Sequence, residues 1–169
     1  MTEHLNEHQT TLGKFTGCSH LLGEDVDPRL FIFESGVPNS PRILLTGMIH
    51  GDEYTAFDTL SLLVQTLGER QRNDNRQHHE HKSKGNDGVA SYKFPSFSYF
   101  VIPCVNVAGA VCGKRCVPYD EVDLNRSFPG GVDETVSGRL AFALGKLAGQ
   151  CDVVIDVHTA GWSIPFNII

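Results

Sequence analysis

Three apolar runs, broken by few polar residues, limit what this chain can fold into: RILLTGMI (42–49), FSYFVIPCVNV (97–107) and DVVIDVH (152–158). Runs of this kind without polar alternation are typical of strands buried on both faces of a sheet, which calls for helices on either side. The intervening segments supply them. From Glu53 to about Leu67, apolar residues recur at helical spacing (Ala56, Leu60, Leu63, Val64, Leu67), and Gly68 is the expected stop. Residues 133–149 repeat the pattern, with Asp133 and Glu134 at the start, then Val136, Leu140, Ala143, Leu144 and Leu147, then Gly149. LFIFESG (30–36) reads as a further strand, closed by the breaker-rich turn VPNSP. This order predicts an α/β fold: a mixed, mostly parallel sheet with helices on both faces.

Two segments fall outside the pattern. Residues 1–14 read as a flexible lead-in to one unit spanning 15–169. Residues 70–91, RQRNDNRQHHEHKSKGNDGVAS, are polar and nearly free of large apolar side chains, so an exposed insertion with no role in a site is expected. Its His78, His79 and His81 read as solvated.

Charge and cysteine usage narrow the partners. A net charge of -6 and a pI near 5.7 argue against a nucleic-acid or anionic-membrane binder, which needs a basic face. No apolar run approaches the roughly 20 residues of a membrane-crossing helix. The polar start MTEHLNEHQT lacks the apolar core of a secretion signal. Five scattered cysteines without a CxxC pair fit a reduced cytoplasm; Cys112 and Cys116 read as structural or incidental.

The chemistry gathers where the apolar runs end. In GMIHGDE (47–53) a buried strand leads through a turn into a helix, placing His50 and Glu53 three residues apart at the carboxyl edge of the sheet, where open α/β sheets build sites. Imidazole and carboxylate are good zinc ligands, although a turn histidine beside a first-turn acid is the commoner meaning of HxxE alone. His158 closes IDVH (155–158) at another strand end. The two stretches together supply two histidines and one glutamate, the set of catalytic zinc sites that keep a fourth position for water. In VDLNRSFPGG (122–131), Arg126 beside Asn125 can grip a carboxylate, and Asp123 can orient a metal-bound histidine; a structural turn would use the same residues. Arg115, in GKR (113–115), is a second candidate cation or else a surface arginine.

GMIHGDE, GKRCVPYDEVDLNRSFPG and IDVHTA, in this order, resemble the zinc carboxypeptidase superfamily, and more closely its succinylglutamate desuccinylase/aspartoacylase branch. That branch shows a GxHGxE turn, a G-x-R…DLNRxFPG stretch and a strand ending in DLHT. The resemblance covers roughly residues 30–165, interrupted at 70–91. It implies that His50, Glu53 and His158 hold one zinc ion per chain. It further implies that Asn125 and Arg126 bind the substrate carboxylate, that Arg115 polarises the scissile carbonyl or binds substrate, and that Asp123 supports His50. The implied reaction is hydrolysis of the amide of an N-acyl amino acid, with a small carboxylate as substrate and neither nucleic acid nor membrane as partner.

The family's catalytic domain is longer, and its general base is a glutamate further along. Residues 159–169 contain no acid, so that glutamate is expected beyond Ile169 and the chain reads as an amino-terminal fragment. The rival readings are a peptide carboxypeptidase and a fragment that binds metal without turnover. Were the base internal, Asp156 or Asp52 would be the first candidates.

Overall fold

The apolar runs assemble into one five-stranded sheet. The computed structural model describes residues 8–35, 37–84 and 97–159, with the side chains of His8 and of 74–84 excepted. In chain order the elements are β1 (His8–Thr11), α1 (Leu12–Thr16), β2 (Arg29–Phe33), β3 (Arg42–Gly47), α2 (Tyr54–Lys84), β4 (Ser98–Ile102), α3 (Val107–Cys112), a single 3₁₀ turn at Leu124–Arg126, α4 (Val136–Ala148) and β5 (Val153–Val157). The strand order is β1-β2-β4-β3-β5. β3 is parallel to both β4 and β5, while β2 is antiparallel to β4 and to β1. Four strands therefore share one direction and only β2 opposes them.

Helices cover both faces. On one face Leu30, Ile32, Leu44, Phe100 and Ile102 pack against Leu12 of α1 and against Leu140, Ala141, Leu144 and Leu147 of α4. On the other, Phe33 and Val101 pack against Leu60, Val64 and Leu67 of α2. Thr135 caps α4, its hydroxyl accepting from the Gly138 amide, so the helix begins after Asp133 and Glu134.

Four expectations are corrected. Residues 8–14 are no loose lead-in: β1 pairs with β2, and Leu12 is fully buried. Residues 1–7 lie outside the described residues. The second correction concerns α2, which runs through Gly68 to Lys84, so that 70–84 is helix and not loop. A glycine inside a helix costs only about 1 kcal/mol relative to alanine, and the glutamate, arginine, glutamine and lysine residues beyond it are good helix formers. Polarity removed the burial signal here without removing helix propensity. The side chains of His78, His79 and His81, and residues 85–91 altogether, lie outside the described residues.

The third correction concerns the stretch after FSYFVIPCVNV up to Gly131, whose glycines and prolines mark turns and no helix: α3 forms at its start, capped by Asn106 and closed by Gly113 in the left-handed conformation. The fourth is β5. Its run VVI reads as buried, yet Val153, Val154 and Ile155 are 45%, 50% and 45% exposed. β5 is an edge strand with β3 as its only neighbour among the described residues. An apolar run reports that a strand favours burial, not that a layer covers it.

Candidate metal centre

Parallel pairing brings the ends of β3 and β5 to one edge of the sheet. Thr46 lies opposite Asp156 and Gly47 opposite Val157, so the chain leaves both strands at the same level. Beyond β3 the backbone turns sharply: Met48, fully buried, has φ +52°, a left-handed conformation that costs a non-glycine residue energy. The turn delivers His50 and Glu53 inward, each only 3% exposed. His158 follows β5 directly.

Three donors meet there. Ligand atoms of His50, Glu53 and His158 all lie within 4.8 Å of one another. Glu53 bridges the histidines, with Oε1 at 2.8 Å from His50 Nδ1 and Oε2 at 3.1 Å from His158 Nδ1. Oε2 also accepts the Thr159 amide at 3.1 Å. The outer nitrogens point away to other carboxylates. His50 Nε2 lies 3.1 Å from Asp123 Oδ1, and His158 Nε2 lies 2.7 Å from Asp156 Oδ2. Asp156 Oδ1 in turn accepts from the buried Thr46 hydroxyl at 2.8 Å. Both rings thus turn Nδ1 inward to Glu53 and Nε2 outward to a carboxylate of their own, the placement that partner carboxylates give metal-binding histidines. Two imidazoles and a carboxylate at this spacing can close on a divalent ion at about 2.0–2.2 Å with modest shifts.

A second loop flanks the centre. Asp123 Oδ1 also accepts the Asn125 amide at 2.9 Å, starting the turn that carries Asn125 and Arg126, both exposed. Burial would raise the Asp123 carboxyl, but the Asn125 amide, His50 and Arg115 outweigh it and hold it below the usual carboxylate range. The Arg115 guanidinium, about half exposed, donates to Asp123 Oδ2 at 3.3 Å and lies 4.0 Å from Glu53 Oε1. This places the sequence candidates Arg115 and Asp123 directly against the histidine–glutamate cluster, with Asn125 and Arg126 following at once in the chain.

The loop is tied to α4 by Asp120, whose carboxylate accepts the Ser137 amide at 2.7 Å and the Ser137 hydroxyl at 2.8 Å. Burial raises this carboxyl, yet the bonds from Ser137, Val122 and Thr135 prevail and its pKa is lowered. A depressed carboxyl contributes stability that is fully present above the ordinary value near 4 and is lost as the pH falls through the lowered one. Asp120→Asn is therefore expected to lower stability by about 1 kcal/mol at pH 7, the cost of charge-assisted bonds at a helix start. Melting curves should show this gap narrowing below about pH 4; a gap independent of pH would contradict the account.

Sequence reasoning missed two contributors. Asp156 carried only a fallback role as base; with both oxygens committed it instead orients His158. Asn106, 1% exposed, links α3, Arg115 and the His50 turn. Its signal was available in principle, as a cap-type residue at the end of an apolar run.

Residues 90–168 match the succinylglutamate desuccinylase/aspartoacylase catalytic domain. The N-alpha-acetyl-L-2,4-diaminobutyric acid deacetylase of Halomonas elongata is 32% identical over 130 residues, covering 75% of this chain and 31% of the relative. The crystal structure of a succinylglutamate desuccinylase/aspartoacylase from Rhodobacter sphaeroides superposes with a TM-score of 0.60 at 27% identity, over 80% of this chain and 34% of that one. A putative carboxypeptidase A from Shewanella denitrificans shares the fold, with a TM-score of 0.58 at 15% identity over 94% of this chain and 36% of that one. The chain spans about a third of the length of these relatives. The chain thus joins a fold shared with carboxypeptidases to a sequence that, over residues 90–168, matches the catalytic domain of the succinylglutamate desuccinylase/aspartoacylase family.

Proposed function

We propose that this chain carries the metal-binding part of a zinc-dependent deacylase that hydrolyses the amide bond of N-acyl amino acids. The observation that carries the reading is the orientation of the two histidines: both Nδ1 atoms converge on Glu53 while each Nε2 is held by its own carboxylate. His50, Glu53 and His158 would hold one zinc ion, which when bound supplies Lewis acidity and lowers the pKa of water. Asp123 supports His50, and Asp156 supports His158. Asn125 and Arg126 bind the substrate carboxylate, and Arg115 reaches toward the ligand glutamate to bind or polarise the substrate.

The relatives support this substrate class. The Halomonas relative is named for an N-acetylated amino acid, whereas the likeness to carboxypeptidases is one of fold alone. Two arginines on an acidic chain favour a small carboxylate over nucleic acid or an anionic membrane. Among the described residues no helix is long and apolar enough to cross a membrane. A reducing cytoplasm is the setting we propose, since all five cysteines are free and scattered.

The general base is the part these residues do not supply. Glu53, Asp123 and Asp156 each bond a ligand-type histidine, so none is free to take a proton from water. A positioned base contributes ~10²–10⁴-fold in rate. The expected result is one zinc per chain, measured by metal analysis after dialysis, with turnover of N-acetyl amino acids below ~0.1 s⁻¹ against an enzyme median near 10 s⁻¹. Failure to retain zinc would overturn the reading. Turnover above ~1 s⁻¹ would show that the base lies within the chain, and Asp52, whose Oδ1 is buried without a partner, would be the first residue to replace.

A further inference from the structure

The Arg115 backbone carbonyl sits at a junction. It accepts a hydrogen bond from Asn106 Nδ2 at 3.2 Å and another from the Gly51 amide at 3.3 Å. Gly51 lies between the ligands His50 and Glu53. The other end of the Asn106 side chain is equally committed, Oδ1 accepting the Gly109 amide at 2.8 Å to cap α3. Its backbone is fixed too: the Asn106 amide donates to Met48 O at 2.9 Å, continuing the β3–β4 ladder into the left-handed turn. One buried asparagine therefore touches the ligand turn through its backbone, and the helix behind it and the loop that carries Arg115 through its side chain.

The packing leaves this junction little freedom. A Cβ on Gly109 would collide with the Asn106 side chain, with Oδ1 at 2.7 Å, and one on Gly51 would sit 2.5 Å from the Ala110 amide nitrogen. The Tyr54 hydroxyl donates to Ala110 O at 2.7 Å, holding the first turn of α2 to α3. The Arg115 side chain is about half exposed, with its guanidinium bonded to Asp123 at the far end. What fixes its starting point relative to Glu53 is its backbone, and that backbone is held by Asn106.

We propose that Asn106 is a positioning residue for substrate binding: by donating to the Arg115 carbonyl it sets where the Arg115 guanidinium stands relative to the ligand turn. This rests on the reading of Arg115 as substrate-binding. Asn106 is too deeply buried to meet the substrate itself, and it touches no metal ligand side chain. It acts through Arg115, so its removal should matter only while Arg115 is present.

A double-mutant cycle tests this on the zinc-loaded chain, with N-acetyl-L-2,4-diaminobutyrate as the probe and calorimetry as the readout. Asn106→Ser keeps a side-chain oxygen to cap α3 but cannot reach the Arg115 carbonyl; Asn106→Asp, which keeps the shape, replaces it if the serine variant does not fold. Asn106→Ser and Arg115→Ala are each expected to weaken probe binding about tenfold, the double variant being within threefold of Arg115→Ala alone. Zinc affinity of Asn106→Ser should stay within threefold of wild type. Wild-type probe affinity in the Asn106 variants, or losses that multiply fully, would overturn the proposal. A wild-type chain that binds neither zinc nor probe would overturn the functional reading instead. Amide exchange at Gly51, followed without metal, then decides the strut: about tenfold faster exchange in Asn106→Ser supports it, and unchanged exchange refutes it.

Discussion

Replacing Glu53 by glutamine is expected to remove zinc binding while leaving the fold in place. Zinc held by a full protein ligand set is worth roughly 10–16 kcal/mol, so one ligand accounts for about 3–4 kcal/mol, a factor of ~10²–10³ in affinity. Glu53 is also the one carboxylate among the three ligand-type side chains. Glutamine keeps the volume and a carbonyl that can still accept the Thr159 amide, so the end of β5 stays anchored. It loses the charge that attracts the metal. Competition with a chromophoric chelator would measure the constant, and thermal melting of the metal-free proteins would report the fold. Matching melting temperatures with a zinc dissociation constant raised at least ~10²-fold is the expected pair. Wild-type zinc affinity in Glu53→Gln would mean that Glu53 is not a zinc ligand.

Gly51→Ala should be strongly destabilising for a single added methyl group. The added Cβ would press on the Gly109 backbone, with Cα at 2.6 Å and the Ala110 nitrogen at 2.5 Å. These atoms belong to α3 and cannot rotate aside as a side chain would. The whole helix would have to shift, taking the Asn106 cap and the Tyr54–Ala110 bond with it. Overpacking against rigid backbone costs about 3 kcal/mol or more, which lowers the melting temperature by roughly 10 °C in a chain of this size. Gly145→Ala is the internal comparison. It lies within α4, nothing approaches its would-be Cβ within 4 Å, and alanine there should stabilise by up to about 1 kcal/mol. Equal melting temperatures for the two variants would show that the approach of the turn to α3 is looser than described.

The strands and the candidate ligands were legible for the same reason. RILLTGMI and FSYFVIPCVNV are apolar because both faces of β3 and β4 are covered, and side chains of ligand type stand out against such runs. His50, Glu53 and His158 could therefore be picked out, and their order with Asn125 and Arg126 carried the family. What the sequence hid was long-range geometry and solvated structure. The pairing of β1 with β2 rests on four short polar residues, HQTT, that carry no periodic signal. The polar end of α2 shows no apolar stripe to betray a helix, and only the propensity of its residues holds the clue. Asp156 looked like a spare acid until the register of β5 set it between Thr46 and His158, 110 and 2 residues away. Asn106 was hidden likewise, since its partner carbonyl lies nine residues on, across a helix and a turn.

The register of β5 also determines where an error would do most harm. Successive side chains on a strand point to opposite faces, so a slip of one residue against β3 would carry Asp156 away from Thr46 and swing the approach to His158 to the wrong side of the sheet. A strand whose apolar residues are bare on both faces discriminates poorly between such alignments. Here the choice is made at the strand's other end: the Arg42 amide donates to Asp152 Oδ2 at 2.8 Å, and the Asp152 amide donates back to Arg42 O at 2.9 Å. This reciprocal pair, a full strand length from any ligand, acts as the index pin of the metal centre, and an exposed aspartate of no evident chemistry decides whether a histidine six residues later arrives facing its partners.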